Sequence, residues 1–299
     1  MEAHTVTAAA AGTWELGDLT VNRMGFGAMR LPQRGHAFGA DAVPGDRGQA
    51  IRVLRRAVEL GVNHFDTAAF YFSPLRSANE LINTALAPYP DDLVIVTKVG
   101  PGRDRWGDWE PAAEPGQLRG QVEENLRQLG RDHLDVVNLR WQHGARPLAE
   151  HFAALAQLRD AGLIRHLGIS GVRPEHLAQA QQIAPVVCVQ NSYSVMNRRS
   201  DPLVRACAEQ GIAFVPFFAI AGANREAGAS QAMPGPLLDV ARGHGASPAQ
   251  ILLAWTLHQG PHLLAIPGTG NPDHLAQNVA AGAIRLSAAE LATLDSLAA

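Results

Sequence analysis

Short apolar runs alternate along this chain with longer stretches in which apolar residues return every three or four positions. The runs are GFGAMR (25–30), NHFDTA (63–68), LVIVTKV (93–99), LDVVNLR (134–140), HLGISG (166–171), VVCVQN (186–191), AFVPFF (213–218) and LLAIP (263–267). Runs of that length read as buried strands. Between them, Ile51, Leu54 and Val58 mark one helical face, and Leu118, Val122, Leu126 and Leu129 another. Gly61 and Gly130 sit where helix C-caps belong. Ser247-Pro248-Ala249-Gln250 and Ser287-Ala288-Ala289-Glu290 are capping-box patterns, and Asn271-Pro272 joins a cap residue to a proline in the first turn. Strands alternating with helices predict a parallel sheet covered by helices. Eight such units in a chain of 299 residues predict a (β/α)₈ TIM barrel rather than an open sheet.

Four stretches fall outside the eight units. TWELGDLTVNRM (13–24) predicts a β-hairpin turning at Gly17-Asp18. AIAGANREAGASQAM (219–233) predicts a long loop after strand seven, and residues 287–299 an extra C-terminal helix. Residues 1–12 read as a flexible tail, leaving 13–299 as a single barrel domain.

Composition narrows the picture only a little. With 46% apolar residues, 18% charged and a net charge of −3, nothing points to nucleic acid or an anionic membrane as partner. There is no run of eighteen apolar residues and no signal-peptide pattern at the start. Two cysteines, Cys188 and Cys207, make no disulfide framework, so a reduced, cytoplasmic setting is expected. No metal site and no obligate protein partner are expected.

Chemistry concentrates where a barrel of this kind keeps it, at the C-terminal ends of the strands. Strand two ends at Asp66, with Tyr71 on the loop beyond; strand three ends near Lys98, and His143 follows strand four. Taken singly, each is an ordinary cap, packing residue or surface group. Together they have a rationale. A tyrosine of pKa about 10 is a poor acid near neutrality. An adjacent ammonium favours its phenolate, and a carboxylate holds that ammonium charged and oriented. The phenol can then protonate a carbonyl oxygen while a hydride reaches the carbon, with a histidine hydrogen-bonded to the same oxygen.

On these residues the chain resembles the aldo/keto reductases, NAD(P)H-dependent enzymes on a (β/α)₈ barrel. The resemblance runs from about residue 14 to the end, through GVNHFDTAAFY, IVTKVG, LDVVNLRWQH, LGISG, VQNSYS and IPGTGNPDHLAQN. It implies Asp66, Tyr71, Lys98 and His143 as the catalytic set. It also implies a dinucleotide lying across the barrel mouth: Ser170 and Gln190 on the nicotinamide amide, and Phe217 or Phe218 stacked on the ring. Gly268, Thr269, Asn271, His274 and Asn278 would meet the adenosine phosphate, with the 219–233 loop over the pyrophosphate. Among subgroups, PYPDDLVIVTKVG and LDVVNLR look most like bacterial, pyridoxal-reductase-like members.

Four positions depart from the family pattern. Gly171 follows Ser170 where asparagine is usual, and Phe72 follows Tyr71 where glycine is common. The stacking ring is phenylalanine rather than tyrosine. GTGNPDH lacks the Lys or Arg that grips a 2′-phosphate, and His274 stands where arginine is common. Charge-assisted bonds to phosphate are about twice as strong as neutral ones. The resemblance implies NADP(H) as the favoured cofactor, and the missing cation weakens that preference, leaving NAD(H) the second candidate. Phe72, Trp106, Trp109 and Trp141 are candidates for an aromatic wall, which implies an aromatic or cyclic aldehyde or ketone as substrate. Two other readings stand beside this one: a Schiff-base aldolase using Lys98, which needs a lysine of depressed pKa, and a cofactor-binding regulatory barrel with little turnover.

Overall fold

The computed structural model describes residues 6–35, 38, 42–142, 147–220 and 233–298. An antiparallel hairpin, β1 (Thr13–Leu16) and β2 (Leu19–Asn22), opens the fold, with Leu16 opposite Leu19 across the predicted Gly17-Asp18 turn. Seven parallel strands follow: β3 (Phe26–Gly27), β4 (His64–Asp66), β5 (Val94–Val99), β6 (Leu134–Arg140), β7 (Ile164–Ser170), β8 (Cys188–Gln190) and β9 (Ala213–Phe214). They lie side by side in sequence order.

The eighth segment, 263–267, closes the ring through isolated hydrogen bonds. On one side Leu264 N donates to Phe214 O at 3.0 Å and Phe214 N to His262 O at 2.8 Å. On the other, Ala265 N donates to Arg23 O at 2.8 Å and Gly25 N to Ala265 O at 2.7 Å. The fold is thus a (β/α)₈ barrel. In AFVPFF, Pro216 has no N–H to offer the closing segment, whereas on the β8 side the ladder runs on, Val215 N donating to Val189 O at 2.8 Å and Phe217 N to Asn191 O at 3.0 Å. At the closing seam, a Cβ on Gly27 would lie 2.6 Å from Ile266 O, so only glycine lets the two backbones meet.

Side chains alternate between the inside of the barrel and the helices. Val94 and Val96 of β5, Val136 of β6, Cys188, Ala213, Val215 and Leu264 form one buried cluster with Leu16 and Val21 of the hairpin. The hairpin therefore seals the end of the barrel where the strands begin. The intervening residues, Ile95, Val137, Leu139, Ile169 and Val189 among them, join a larger core with the helices. Each large apolar side chain so buried contributes about 1.5–3 kcal/mol.

The helices begin and end where the sequence signals place them. Helix α1 (Arg47–Glu59) is followed by Gly61 at φ 79°, and α2 (Leu118–Leu129) by Gly130 in the left-handed region at 63°. Both predicted capping boxes form, at Ser247 ahead of Pro248–His258 and at Ser287 ahead of the extra helix Ala288–Asp295. The N-terminal expectation needs correcting. Ala8–Ala11 form a 3-10 turn rather than a loose tail; Ala8 N donates to Leu60 O at 2.8 Å, and Ala8 and Ala11 are buried. Small residues let the segment lie close against the barrel's underside. No helix among the described residues is long and apolar enough to cross a membrane.

Candidate active site

The inward alternation of β5 through Val94 and Val96 brings Lys98 to the top of the barrel, and Asp66 at the end of β4, opposite Val96 in register, is within reach of it. Lys98 Nζ donates to both Asp66 oxygens, at 2.8 and 2.7 Å, and to Thr67 O at 2.9 Å. Both side chains are about 95% buried, at 6% and 5% exposure. A buried polar chain fixes these strand ends to the helices behind them. Thr67 Oγ1 donates to Asn79, Asn79 to Asn125, and Thr97 Oγ1 to Asn125, at 2.7, 2.9 and 2.6 Å. Every link is a short neutral bond inside the core, where leaving a partner unmade is expensive.

The Tyr71 ring lies over this pair, with Lys98 Nζ 4.9 Å from its centroid. Burial raises the Tyr71 phenol above its ordinary pKa; Lys98 and Arg140 pull it down and Asp66 adds to the rise. The expected net lowering by the ammonium is thus overruled by desolvation, and the phenol holds its proton through the neutral range. Burial also weighs against the Lys98 charge, but the Asp66 carboxylate and the phenol outweigh it and leave the pKa raised. Lys98 is therefore a fixed ammonium.

Gln190 at the end of β8 donates to Asp66 Oδ1 at 2.8 Å, and its own Oε1 is buried with no partner among the described residues. These groups floor a cavity of about 1660 Å³ at the barrel mouth. A site for one small ligand runs to about 300–1,000 Å³, so this one has room for a large cofactor and a substrate together.

The cavity gathers most of the residues singled out in the sequence. Asp66, Tyr71, Lys98, Ser170, Gln190, Phe217, Phe218, Gly268, Thr269, His274 and Asn278 line it, as do Trp109 and Trp141. Three do not. Asn271 spends its side chain capping Pro272–Ala280, accepting from Asp273 N at 2.8 Å. Phe72 turns outward, with the Arg103 guanidinium 4.6 Å over its ring, and Trp106 is 69% exposed beside Arg105. The aromatic wall is instead Phe38 and Phe70 with Trp109, packed around Tyr71 at centroid separations of 5.1–5.9 Å. His143 lies outside the described residues, as does most of the 219–233 loop; Ala219, Ile220 and Met233 at its ends line the cavity.

Arg140, the last residue of β6, is the site residue missed in the sequence. It stands opposite Ser170 in register, donates from Nη1 to Ser170 Oγ at 3.3 Å, and lies 5.0 Å over the Phe217 ring. A signal for it existed: Val136 faces inward, so Asn138 and then Arg140 follow in phase.

A closed (β/α)₈ barrel with a buried Tyr–Lys–Asp cluster at its C-terminal mouth has the form of a carbonyl oxidoreductase. The aldo/keto reductase family model matches residues 23–299, and the chain belongs to that family. It is 44% identical to the pyridoxine 4-dehydrogenase of Escherichia coli over 293 residues, covering 96% of this chain and 98% of that one. Among solved structures it is similar to a thermostable aldo-keto reductase in complex with the inhibitor epalrestat, at TM-score 0.80 and 29% identity, covering 95% of this chain and 99% of that one. An aldo-keto reductase from Klebsiella pneumoniae in complex with NADPH matches at TM-score 0.77 and 29% identity, over 93% and 91% of the two chains.

Proposed function

We propose that this protein is an NADP(H)-dependent reductase of aromatic or cyclic aldehydes and ketones, with Tyr71 as general acid. The observation that carries the reading is the Tyr71–Lys98–Asp66 cluster set in the floor of the cavity. The residues present also fit a nicotinamide. Gln190 Oε1 is an unpaired acceptor suited to a carboxamide N–H, Ser170 Oγ stands beside it, and Phe217 offers a ring face. His274 and Thr269 line the far end, where a 2′-phosphate would be held. The cofactor supplies a hydride.

The chain's own groups handle the proton. Tyr71, kept neutral by burial, donates its phenolic proton to the carbonyl oxygen as charge develops there. Lys98, held protonated by Asp66, stabilises the phenolate left behind. Asp66 is itself fixed by Gln190, so the group expected to bind the cofactor also braces the acid. Phe38, Phe70 and Trp109 exclude water from the substrate side.

Pyridoxal is the substrate to try before others, because a relative at 44% identity bears the name pyridoxine 4-dehydrogenase. The test is fluorescence titration with NADPH and with NADH, followed by a carbonyl screen. Tight NADPH binding with turnover of pyridoxal or another cyclic carbonyl supports the reading; equal NADH affinity assigns the missing cation near His274 a real effect; binding of neither overturns it. A Schiff-base aldolase is disfavoured by the raised pKa of Lys98, and borohydride trapping of a carbonyl on that lysine would bring it back.

A further inference from the structure

Arg140 is placed as a structural residue would not be. Its guanidinium lines the cavity and is sunk far enough for burial to weigh against its charge, yet no carboxylate among the described residues pairs with it. Among the described residues its polar contact is a single 3.3 Å bond to Ser170 Oγ, which leaves most of its five donors without a partner there. The carboxylate nearest the acid, Asp66, is already taken by Lys98 and Gln190. Around Tyr71 the cavity floor therefore carries two fixed cations and one anion. Arginine does not relieve such an imbalance by losing its proton. A ligand bearing a negative oxygen would relieve it.

The chain also keeps the guanidinium's place clear. Gly171 sits at φ +72°, and a Cβ there would fall 2.5 Å from Arg140 Nη1 and 3.0 Å from Trp141 O. The absence of a side chain at Gly171, where the family usually has asparagine, leaves the space that Arg140 occupies. A planar fork held between a hydroxyl and an aromatic ring suits an oxygen in the plane of a flat substrate. Phe38, Phe70, Trp109 and Trp141 supply walls for such a substrate.

We propose that Arg140 is a specificity-determining residue that binds an ionised hydroxyl on the carbon next to the one bearing the reacting carbonyl, so that the preferred substrates are ortho-hydroxy aromatic aldehydes. The proposal rests on the carbonyl-reductase reading for its chemistry. Tyr71 takes the carbonyl oxygen and Arg140 the neighbouring oxygen, so one flat molecule is held at two points. Among the described residues, the other charged or titratable groups facing this space are Asp66, Lys98 and, further out, Arg30 and His274.

The probe is 2-hydroxybenzaldehyde, whose phenolate absorbs at longer wavelength than its phenol. Bound to the protein without cofactor, its phenol should titrate at least about one unit below the free compound, since a cation at contact distance favours the ionised form. Arg140→Met should abolish that shift, and Arg140→Lys should keep part of it. With NADPH, the wild type should favour 2-hydroxy- over 2-methoxybenzaldehyde by about tenfold or more in kcat/KM, and Arg140→Met should bring the ratio near one. An unshifted titration, absence of binding, or an equal loss on both aldehydes in Arg140→Met would overturn the proposal. The spectral shift is read without turnover. A shifted titration with no NADPH oxidation would therefore sink the reductase reading while leaving the oxygen site standing.

Discussion

Two buried acid–base pairs sit at opposite ends of the barrel. At the mouth, Lys98 of β5 meets Asp66 at 2.7 Å; at the sealed end, Arg131 meets Asp135 of β6 at 2.9 Å. Their carboxylates are equally buried, at 5% and 6% exposure. What differs is the company each keeps. Asp135 also accepts from Ile95 N at 2.8 Å, and the Arg131 guanidinium lies on Tyr89, whose hydroxyl donates to Leu129 O at 2.6 Å. Apart from His133, 3.9 Å from Asp135, the groups there meet backbone or ring, and the pair ties the starts of β5 and β6 to the end of α2. At the mouth the pair braces a phenol, an unpaired amide oxygen and a second cation, all facing a cavity. Burial and short distances are common to both; unspent hydrogen-bonding capacity beside a cavity marks the one proposed to do chemistry.

The largest effect that separates the two ends is expected at Tyr71. Tyr71→Phe removes the proton donor but keeps the ring among Phe38, Phe70 and Trp109. It should lower kcat by about 10²–10⁴-fold, with NADPH affinity and melting temperature nearly unchanged. Equal losses of turnover and cofactor binding would make the residue structural. Because burial raises the Tyr71 pKa, carbonyl reduction should also run flat from about pH 7 to 9, as far as the ordinary tyrosine value of about 10 allows.

Next comes a matched pair of truncations. Lys98→Met and Arg131→Met each leave a carboxylate buried without its cation, a loss of about 3–5 kcal/mol in stability by denaturant titration. Lys98→Met should also cost rate, because the phenolate loses its stabilising ammonium. Arg131→Met should leave kcat/KM within about twofold where the protein is folded. Similar activity losses in both would erase the distinction between the ends.

His64 provides a third, smaller contrast, on the same strand as Asp66 but with neither ring nitrogen partnered among the described residues. Burial lowers its pKa to about 4, Asp66 opposing and Lys98 assisting. The sign follows from linkage: below about pH 6.5 the unfolded chain takes up a proton that the folded one refuses, so stability falls as pH drops toward 4. The full loss amounts to about 3 kcal/mol, and His64→Leu should flatten that limb of the stability–pH curve measured by urea unfolding.

Much of this contrast was legible in the chain. The strand at Leu134–Arg140 and both capping boxes fall where the pattern puts them, because buried strands and caps are local properties of sequence. The cavity-lining places of Asp66, Tyr71 and Lys98 were legible too, since strand ends fix them. Less legible was anything that depends on neighbours across the barrel. Phe72 and Trp106 are large aromatics near the mouth, but only packing against Arg103 and Arg105 turns them away from the cavity. Phe38 enters the wall from a segment with no periodicity to announce it. Arg140 was hidden for the opposite reason: it ends an apolar run, where a charged residue reads as the point at which the strand reaches water.

The smallest effect is expected at the hairpin that seals the barrel. Asp18 at its turn accepts from Arg165 at 2.7 Å and pairs with His166, and those bonds hold its carboxyl well below the usual range. A depressed carboxylate adds stability that is present above its unfolded pKa of about 4 and is lost as pH falls below it. Asp18 is 64% exposed, however, so solvent screens most of that gain. Asp18→Asn should therefore cost no more than about 1 kcal/mol, diminishing further in high salt. Turnover should be unchanged, because the hairpin meets the barrel at the end away from Tyr71. A loss as large as that of Arg131→Met would mean that the seal, rather than the ion pair above it, holds the closed end together.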